Sequence, residues 1–395
     1  MIIDIQNKAK GLFAELGYPL KKDEGWQYTN LDCFSKCVTT DNQIDLSYNN
    51  SLYIDHAINI VVMNGKIIKG IDNATDGISI LQITNEDSNQ SLGKFLEISD
   101  FTESGVIAHN TGEFLDALHI SVDKTFNSKI PVNIINITKD LNSDEVVFPR
   151  FYFHAKDGSI AKFFIQHINH NSQGSTNSVS EFYCEESSSI EIIHSTKSKD
   201  QNFLDTLSFL QEDNSSIKFL SSSFGGDLYR SNIDIDINGE NCSNNFGILM
   251  LGSDTNHIDY HANINHKIGN SVSNFLCRSL LRDKARGVFN GKILVEENAS
   301  GTSATLNNNN LLLSDLAAMQ SNPQLEINCE DVKCAHGSTS GNLDQDALFY
   351  LCSRGISISK AHEILIKGFT SKLLDSFDTV DLSLDQQIKD WIENE

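Results

Sequence analysis

SSSIEIIHS (187–195), NSSIKFLSSS (214–223), RSNIDIDING (230–239) and HIDYHANINH (257–266) are the stretches that decide how this chain folds. Each alternates apolar and polar residues at period two, as a strand with one buried face does. Each is bounded by Ser-, Asn- or Gly-rich corners, and two more of the same kind follow, ARGVFNGKILV (285–295) and PQLEINCEDVKC (323–334). Helical periodicity is nearly absent from about residue 116 to 345. Short strands in such number, with few prolines and many polar corners, suit a solenoid in which each coil stacks on the next. A β-sandwich is the alternative, because the sequence alone does not say which strands pair.

Outward from this core the pattern turns helical. At the N-terminus Ile5, Ala9, Leu12, Phe13 and Leu16 share one helical face, and Gly17 with Pro19 ends the run. EGWQYTNL (24–31) offers Trp26 and Tyr28 as anchors onto the body, and LYIDHAINIVVMNGKII (52–68) reads as strand with a hairpin turn at Asn64-Gly65. Residues 70–115 are polar and weakly patterned. Beyond the core, Asp344 is placed to cap a helix through ALFYLCSRG that Gly355 ends. KAHEILIKG (360–368) reads as a second helix ending at Gly368, and a third starts near 384. Three segments result: 1–115, helical and mixed; 116–345, the β core; 346–395, helical. A solenoid has open ends and exposed edges that aggregate unless covered, so the terminal helices are expected to cap it.

The 395 residues carry a net charge of −23, with no basic stripe to reverse it locally, so nucleic acid is an improbable ligand. No run of 18 apolar residues occurs, which argues against a spanning helix, and MIIDIQNKAKGLFAEL lacks the apolar core of a signal peptide. The 8 cysteines form no C-x-x-C pair and no regular framework, which favours reduced thiols in a cytoplasmic setting.

Three apparent motifs fail on physical grounds. DIDING (234–239) imitates the start of a calcium loop, but its twelfth position is Asn245 and its flanks alternate like strands, so a turn is the better reading. His257 and His261 have the spacing that chelates zinc on a helix, but on a strand their rings stand about 13 Å apart, which points to solvent-facing or coil-stacking roles. GSTSG (337–341) has Thr339 where a nucleophile elbow needs serine. VKCAHG (332–337) is more informative. Cys334 and His336 share a face if the backbone is extended, and both are soft-to-borderline ligands suited to iron. A buried structural cysteine with an incidental histidine is the plainer reading of the pair taken alone. Two ligands are also too few to hold a cluster, so a working site would need a second chain.

RGVFNGKI (286–293), NLLLSDLA (310–317), PQLEI (323–327), DVKCAHG (331–337), LFYLCSRGI (348–356) and GF (368–369) closely resemble, in order and spacing, the SufB/SufD family of SUF iron–sulfur cluster assembly proteins. EGWQYTNL and PRFYF (149–153) are similar to further family elements, and DVKCAHG lies on the SufD side of the family, since no acid flanks His336. The chain departs from the family in having Ala335-His336-Gly337-Ser338-Thr339, and Gln166 where an acid often ends the strand after the P-R element. The resemblance implies a right-handed parallel β-helix with α-helical N- and C-terminal segments, and a scaffold rather than an enzyme. It also implies pairing with SufB, docking of the SufC ATPase around Phe349, Tyr350, Arg354 and Phe369, and a nascent cluster held at the SufB seam by His336 with help from Cys334. No cofactor is expected in the isolated chain. Competing readings are a structural homodimer without metal ligation and, further off, a β-helix enzyme acting on polysaccharide.

Overall fold

The computed structural model describes residues 2–40, 52–87, 98–379 and 382–393. Its body is a parallel β-solenoid of about eight coils, with helices near both termini. Each coil gives one strand to each of two sheets. Ser175–Cys184, Asn202–Gln211, Leu228–Ile237, His257–His266, Arg286–Val295 and Ala318–Ile327 follow one another in the first. Ser189–Lys197, Ser216–Phe224, Ser243–Gly252, Val272–Leu281, Ser303–Leu312 and Lys333–Asn342 follow in the second. Pairing is parallel and unbroken in register, as from Asn202↔Leu228 to Gln211↔Ile237.

The corners explain why the sequence winds this way. Leaving the first sheet, the backbone turns through a left-handed residue in coil after coil: Gly158, Ser187, Asn214, Asn241, Asn270 and Gly301, with φ between 58° and 77°. Leaving the second it does so at Asp140, Asn171, Asp200, Asp254 and Asp283, with φ between 53° and 59°, and Gly225-Gly226 replaces them in one coil. Asn, Asp and Gly tolerate this conformation at least cost, so the polar corners are a backbone requirement rather than a solubility device. Between corners the inward residues stack coil on coil. Phe153, Phe182 and Phe209 lie at centroid spacings of 4.6 and 4.5 Å, and Phe219, Phe246, Phe275 and Phe289 continue an aromatic column.

At the start of the solenoid each sheet ends on an antiparallel strand. Ile58–Met63 lies parallel on Val132–Lys139 and turns at Asn64-Gly65, with φ of 48° and 78°, into the antiparallel Lys66–Lys69. Ile78–Ile83 pairs antiparallel with Ala117–Val122. The helices Ile2–Leu16 and Gly105–Glu113 pack on each other beside this end.

The C-terminal helices do not cap the far end, contrary to the expectation from edge protection. Asp344 caps Gln345–Ser353 as read, and the chain turns at Gly355. The next helix, however, runs Ile358–Leu374 straight through Gly368. It continues because Leu373 and Leu374 extend the apolar face begun by Ile366, and burial of that face outweighs the roughly 1 kcal/mol cost of an interior glycine. With Leu384–Glu393 it covers the outer face of the second sheet, over Leu220, Leu249, Leu251 and Leu280. The last coil stays bare: no residue of Ala318–Ile327 or Lys333–Asn342 is buried. PQLEINCEDVKC is accordingly not one strand but the end of one, a corner at 328–332 and the start of the next.

Candidate functional site at the open coil

Lys333–Asn342 hydrogen-bonds to Ser303–Leu312, placing Cys334 opposite Ala304 and His336 opposite Leu306. Ala304 and Leu306 are fully buried on the inward phase of their strand, so Cys334 and His336 stand over the interior column, where a further coil would cover them. None does. Cys334 is half-buried against the core with Met319, Leu325, Cys329 and Val332, and His336 is exposed. Burial pushes the Cys334 thiol above its ordinary value. Beside the pair, buried Asn308 accepts from Ser321 Oγ at 2.7 Å and from Ser338 Oγ at 3.4 Å, and Ser321 lies 2.8 Å from Ser338, which ties the two last strands together. The structure thus brings Cys334 and His336 onto one face of an uncovered rim, with backbone edges of both sheets unpaired among the described residues.

The four residues singled out on the C-terminal helices are divided. Phe349 and Tyr350 project from Gln345–Ser353 with 75% and 57% exposure, and the Arg354 guanidinium lies 5.3 Å from the Tyr350 ring. Phe369 instead packs against the solenoid, its ring 4.6 Å from the Arg278 guanidinium.

Other motifs resolve into structure. His257 and His261 do not face solvent. They lie on the outer face of the first sheet beneath the EGWQYTN segment, where Thr29 Oγ1 is 2.9 Å from His257 Nε2 and Trp26 stacks on Arg230 at 4.2 Å. Asp234 and Asp236 of DIDING accept from Asn263 and Asn265 of the next coil, each at 2.8 Å, so this is mostly strand rather than turn. Gly239 makes the turn that follows, and a Cβ there would sit 2.2 Å from the Asp213 backbone nitrogen. All 8 cysteines are free thiols.

The sequence reading missed two buried constellations. Arg150 of the P-R element meets its acid one coil later, at Glu181, in a bidentate pair of 3.0 and 2.9 Å, while Gln166 binds Asn133 at 2.8 Å. Deeper in the solenoid, His167, His194 and Asp205 interrupt the apolar lining. Their signal was present as polar residues on the inward phase of FFIQHI, IEIIHS and FLDTL, where alternation calls for apolar ones.

Fold and rim together define a class: a parallel β-solenoid whose uncovered last coil carries a half-buried thiol and an exposed imidazole on one face. Residues 136–369 match the SufBD core domain of SUF system iron–sulfur cluster assembly, and the chain belongs to that family. It is similar over nearly its whole length to the iron–sulfur cluster assembly protein SufD of Escherichia coli K12, with 28% identity over 382 residues, 94% of this chain and 88% of that one. An iron–sulfur cluster assembly SufBD family protein of Synechocystis is 26% identical over 398 residues, covering 95% and 87%. A Mycobacterium leprae member of the family is 28% identical over 166 residues, 40% of this chain and 42% of that one. Among the described residues no helix is long and apolar enough to cross a membrane.

Proposed function

We propose that this chain is the SufD-type scaffold subunit of a SUF assembly complex, and that its open coil is completed by the corresponding coil of SufB. The observation that carries this reading is the bare last coil: two sheet edges and an inward-facing Cys334–His336 pair are left uncovered among the described residues. Unpaired edges bind strands of another chain readily, and a seam formed there would enclose His336. The iron–sulfur cluster is cargo at this seam. His336 supplies one ligand, Cys334 holds iron or sulfur in passing, and SufB supplies the rest. Imidazole is a weaker donor than thiolate toward cluster iron, which suits a cluster that must leave.

SufC, the proposed ATPase of the complex, docks on the exposed Phe349, Tyr350 and Arg354, with Phe369 holding the neighbouring helix to the body. When SufB is absent a second copy pairs on the same edges. The test is hydrogen exchange of Lys333–Asn342 in the full chain, alone and with SufB. The amides on the free edge should exchange fast alone and slow at least tenfold in the complex, in keeping with a strand that has gained a partner. A SufB complex that leaves them unprotected would place the interface elsewhere.

A further inference from the structure

Two consecutive coils turn histidine and aspartate side chains into the solenoid interior. His167 and His194 face inward from neighbouring strands of the second sheet, with ring centroids 4.8 Å apart, and Asp205 faces them from the strand Asn202–Gln211 of the first. All three are at most 1% exposed, and one ligand atom from each lies within 4.8 Å of the others.

Asp205 is the odd member of its class. Among the described residues the buried acids are Glu181, Asp205, Asp259 and Glu363. Glu181 meets Arg150, Asp259 meets Arg230, and Glu363 meets Lys360 and Lys367. Asp205 meets neither Lys nor Arg. Its Oδ2 lies 3.1 Å from His194 Nε2 and accepts from the Tyr229 hydroxyl at 3.2 Å, and its Oδ1 has no hydrogen-bond partner among the described residues. A buried carboxylate without a cation is costly. His167 Nε2, beside it, is also without a partner among these residues.

We propose that His167, His194 and Asp205 form a buried binding site for a divalent transition-metal ion inside the solenoid. Two imidazoles and a carboxylate are the donor set of borderline ions such as Fe(II), Co(II) and Zn(II), and are too rich in nitrogen for calcium or magnesium. Metal–ligand bonds of about 2.0–2.1 Å require the three atoms to draw closer than they stand, which ring rotation provides. The surrounding side chains supply the outer layer such sites use to fix the imidazole tautomer. Asn136 lies 2.9 Å from His167 Nδ1, and its own Oδ1 has no partner. Turning that amide over lets Nδ1–H donate to Oδ1 and leaves Nε2 free to bind metal. Ser221 Oγ stands 3.4 Å from His194 Nδ1 and serves the second ring in the same way. A closed site of this kind loads as the chain folds.

The site is independent of the open coil, so the test is made in a Cys334→Ala/His336→Ala background, where the rim contributes no metal. The full chain is unfolded, refolded with Co(II), Zn(II) or anaerobic Fe(II), freed of loose ion with EDTA, and assayed for metal and for Co(II) visible absorbance. About one equivalent per chain should remain. Asn136→Ala, which keeps all three ligands, should lower affinity by roughly 10–100-fold and change the Co(II) spectrum. His167→Gln should lose the metal while keeping the far-ultraviolet circular dichroism of the parent. Retention below about a tenth of an equivalent in the parent, or equal retention in folded His167→Gln, would overturn the site. If His167→Gln fails to fold, Asn136→Ala decides: unchanged affinity and spectrum overturn the proposal.

Discussion

Replacing Glu181 by Gln should be among the most damaging isosteric changes this chain can suffer. Glu181 is fully buried and pairs bidentately with Arg150, which also donates to Asn110 Oδ1 at 3.0 Å and Thr111 Oγ1 at 2.9 Å. Asn110 and Thr111 belong to the helix Gly105–Glu113, so one guanidinium ties the first complete coils to the N-terminal helical layer. Without the carboxylate, a charge that is 3% exposed loses its counter-ion. Breaking one side of such a pair costs about 3–5 kcal/mol, far more than an isolated hydrogen bond. Spread over the unfolding entropy of a chain this long, about 4 kcal/mol lowers the melting temperature by roughly 5 °C if the body unfolds as a unit. If the N-terminal layer detaches first, as neighbour-only contacts in solenoids allow, the loss appears as faster hydrogen exchange over 105–113 with little change in the later coils. Calorimetry and exchange mass spectrometry on the same samples separate the two. An Arg150→Met/Glu181→Leu double variant should recover most of the loss, since well-packed apolar residues replace buried ion pairs at little or no cost. A Glu181→Gln loss under about 1 kcal/mol, or a double variant as unstable as the single, would refute the argument that the charge, rather than the packing, is at stake.

Three further outcomes follow from the same geometry. His266 is buried with neither ring nitrogen paired among the described residues, and burial draws it from 6.5 to about 4. Between those values the unfolded chain holds a proton that the native one refuses, so stability falls as pH drops through that window. His266→Leu should flatten the acid-unfolding profile by up to about 3 kcal/mol, read by urea titration at pH 7 and pH 4.5. Asn241 turns its corner at φ 58°, so Asn241→Val should cost about 1–2 kcal/mol in denaturant unfolding while Asn241→Gly stays within a few tenths. Phe349→Asp with Tyr350→Ser should weaken SufC binding at least tenfold in calorimetric titration without moving the melting temperature, because both side chains are exposed.

Much of this architecture was legible, and the reasons are local. HIDYHANINH coincides with a strand from first residue to last because period-two alternation and left-handed corners are both written in short sequence windows. What failed was long-range. Nothing near Arg150 names Glu181, because a solenoid pairs residues about one coil apart and the sequence does not state the coil length at each turn. Gly368 looked like a helix end because the apolar surface that carries the helix past it belongs to Leu220, Leu249 and Leu280. The same surface decides that the C-terminal helices lie along the second sheet rather than across the last coil, which is why Cys334 and His336 are left at an open rim. The interior histidines were visible as exceptions to the pattern, but alternation shows only that a polar residue points inward, not what it meets there.

The central claim is that His336 ligates cargo at the seam this rim forms with SufB. The measurement is iron and acid-labile sulfide, with visible absorbance, in complexes purified anaerobically from cells co-expressing SufB, SufC and either the parent chain or His336→Ala. The exposed imidazole contributes little packing, so the variant should yield the same complex in the same amount. It should carry a small fraction of the parent's iron and sulfide, with Cys334→Ala between the two. An intact His336→Ala complex with the parent's full cluster content would contradict the account and return His336 to the surface as an ordinary side chain.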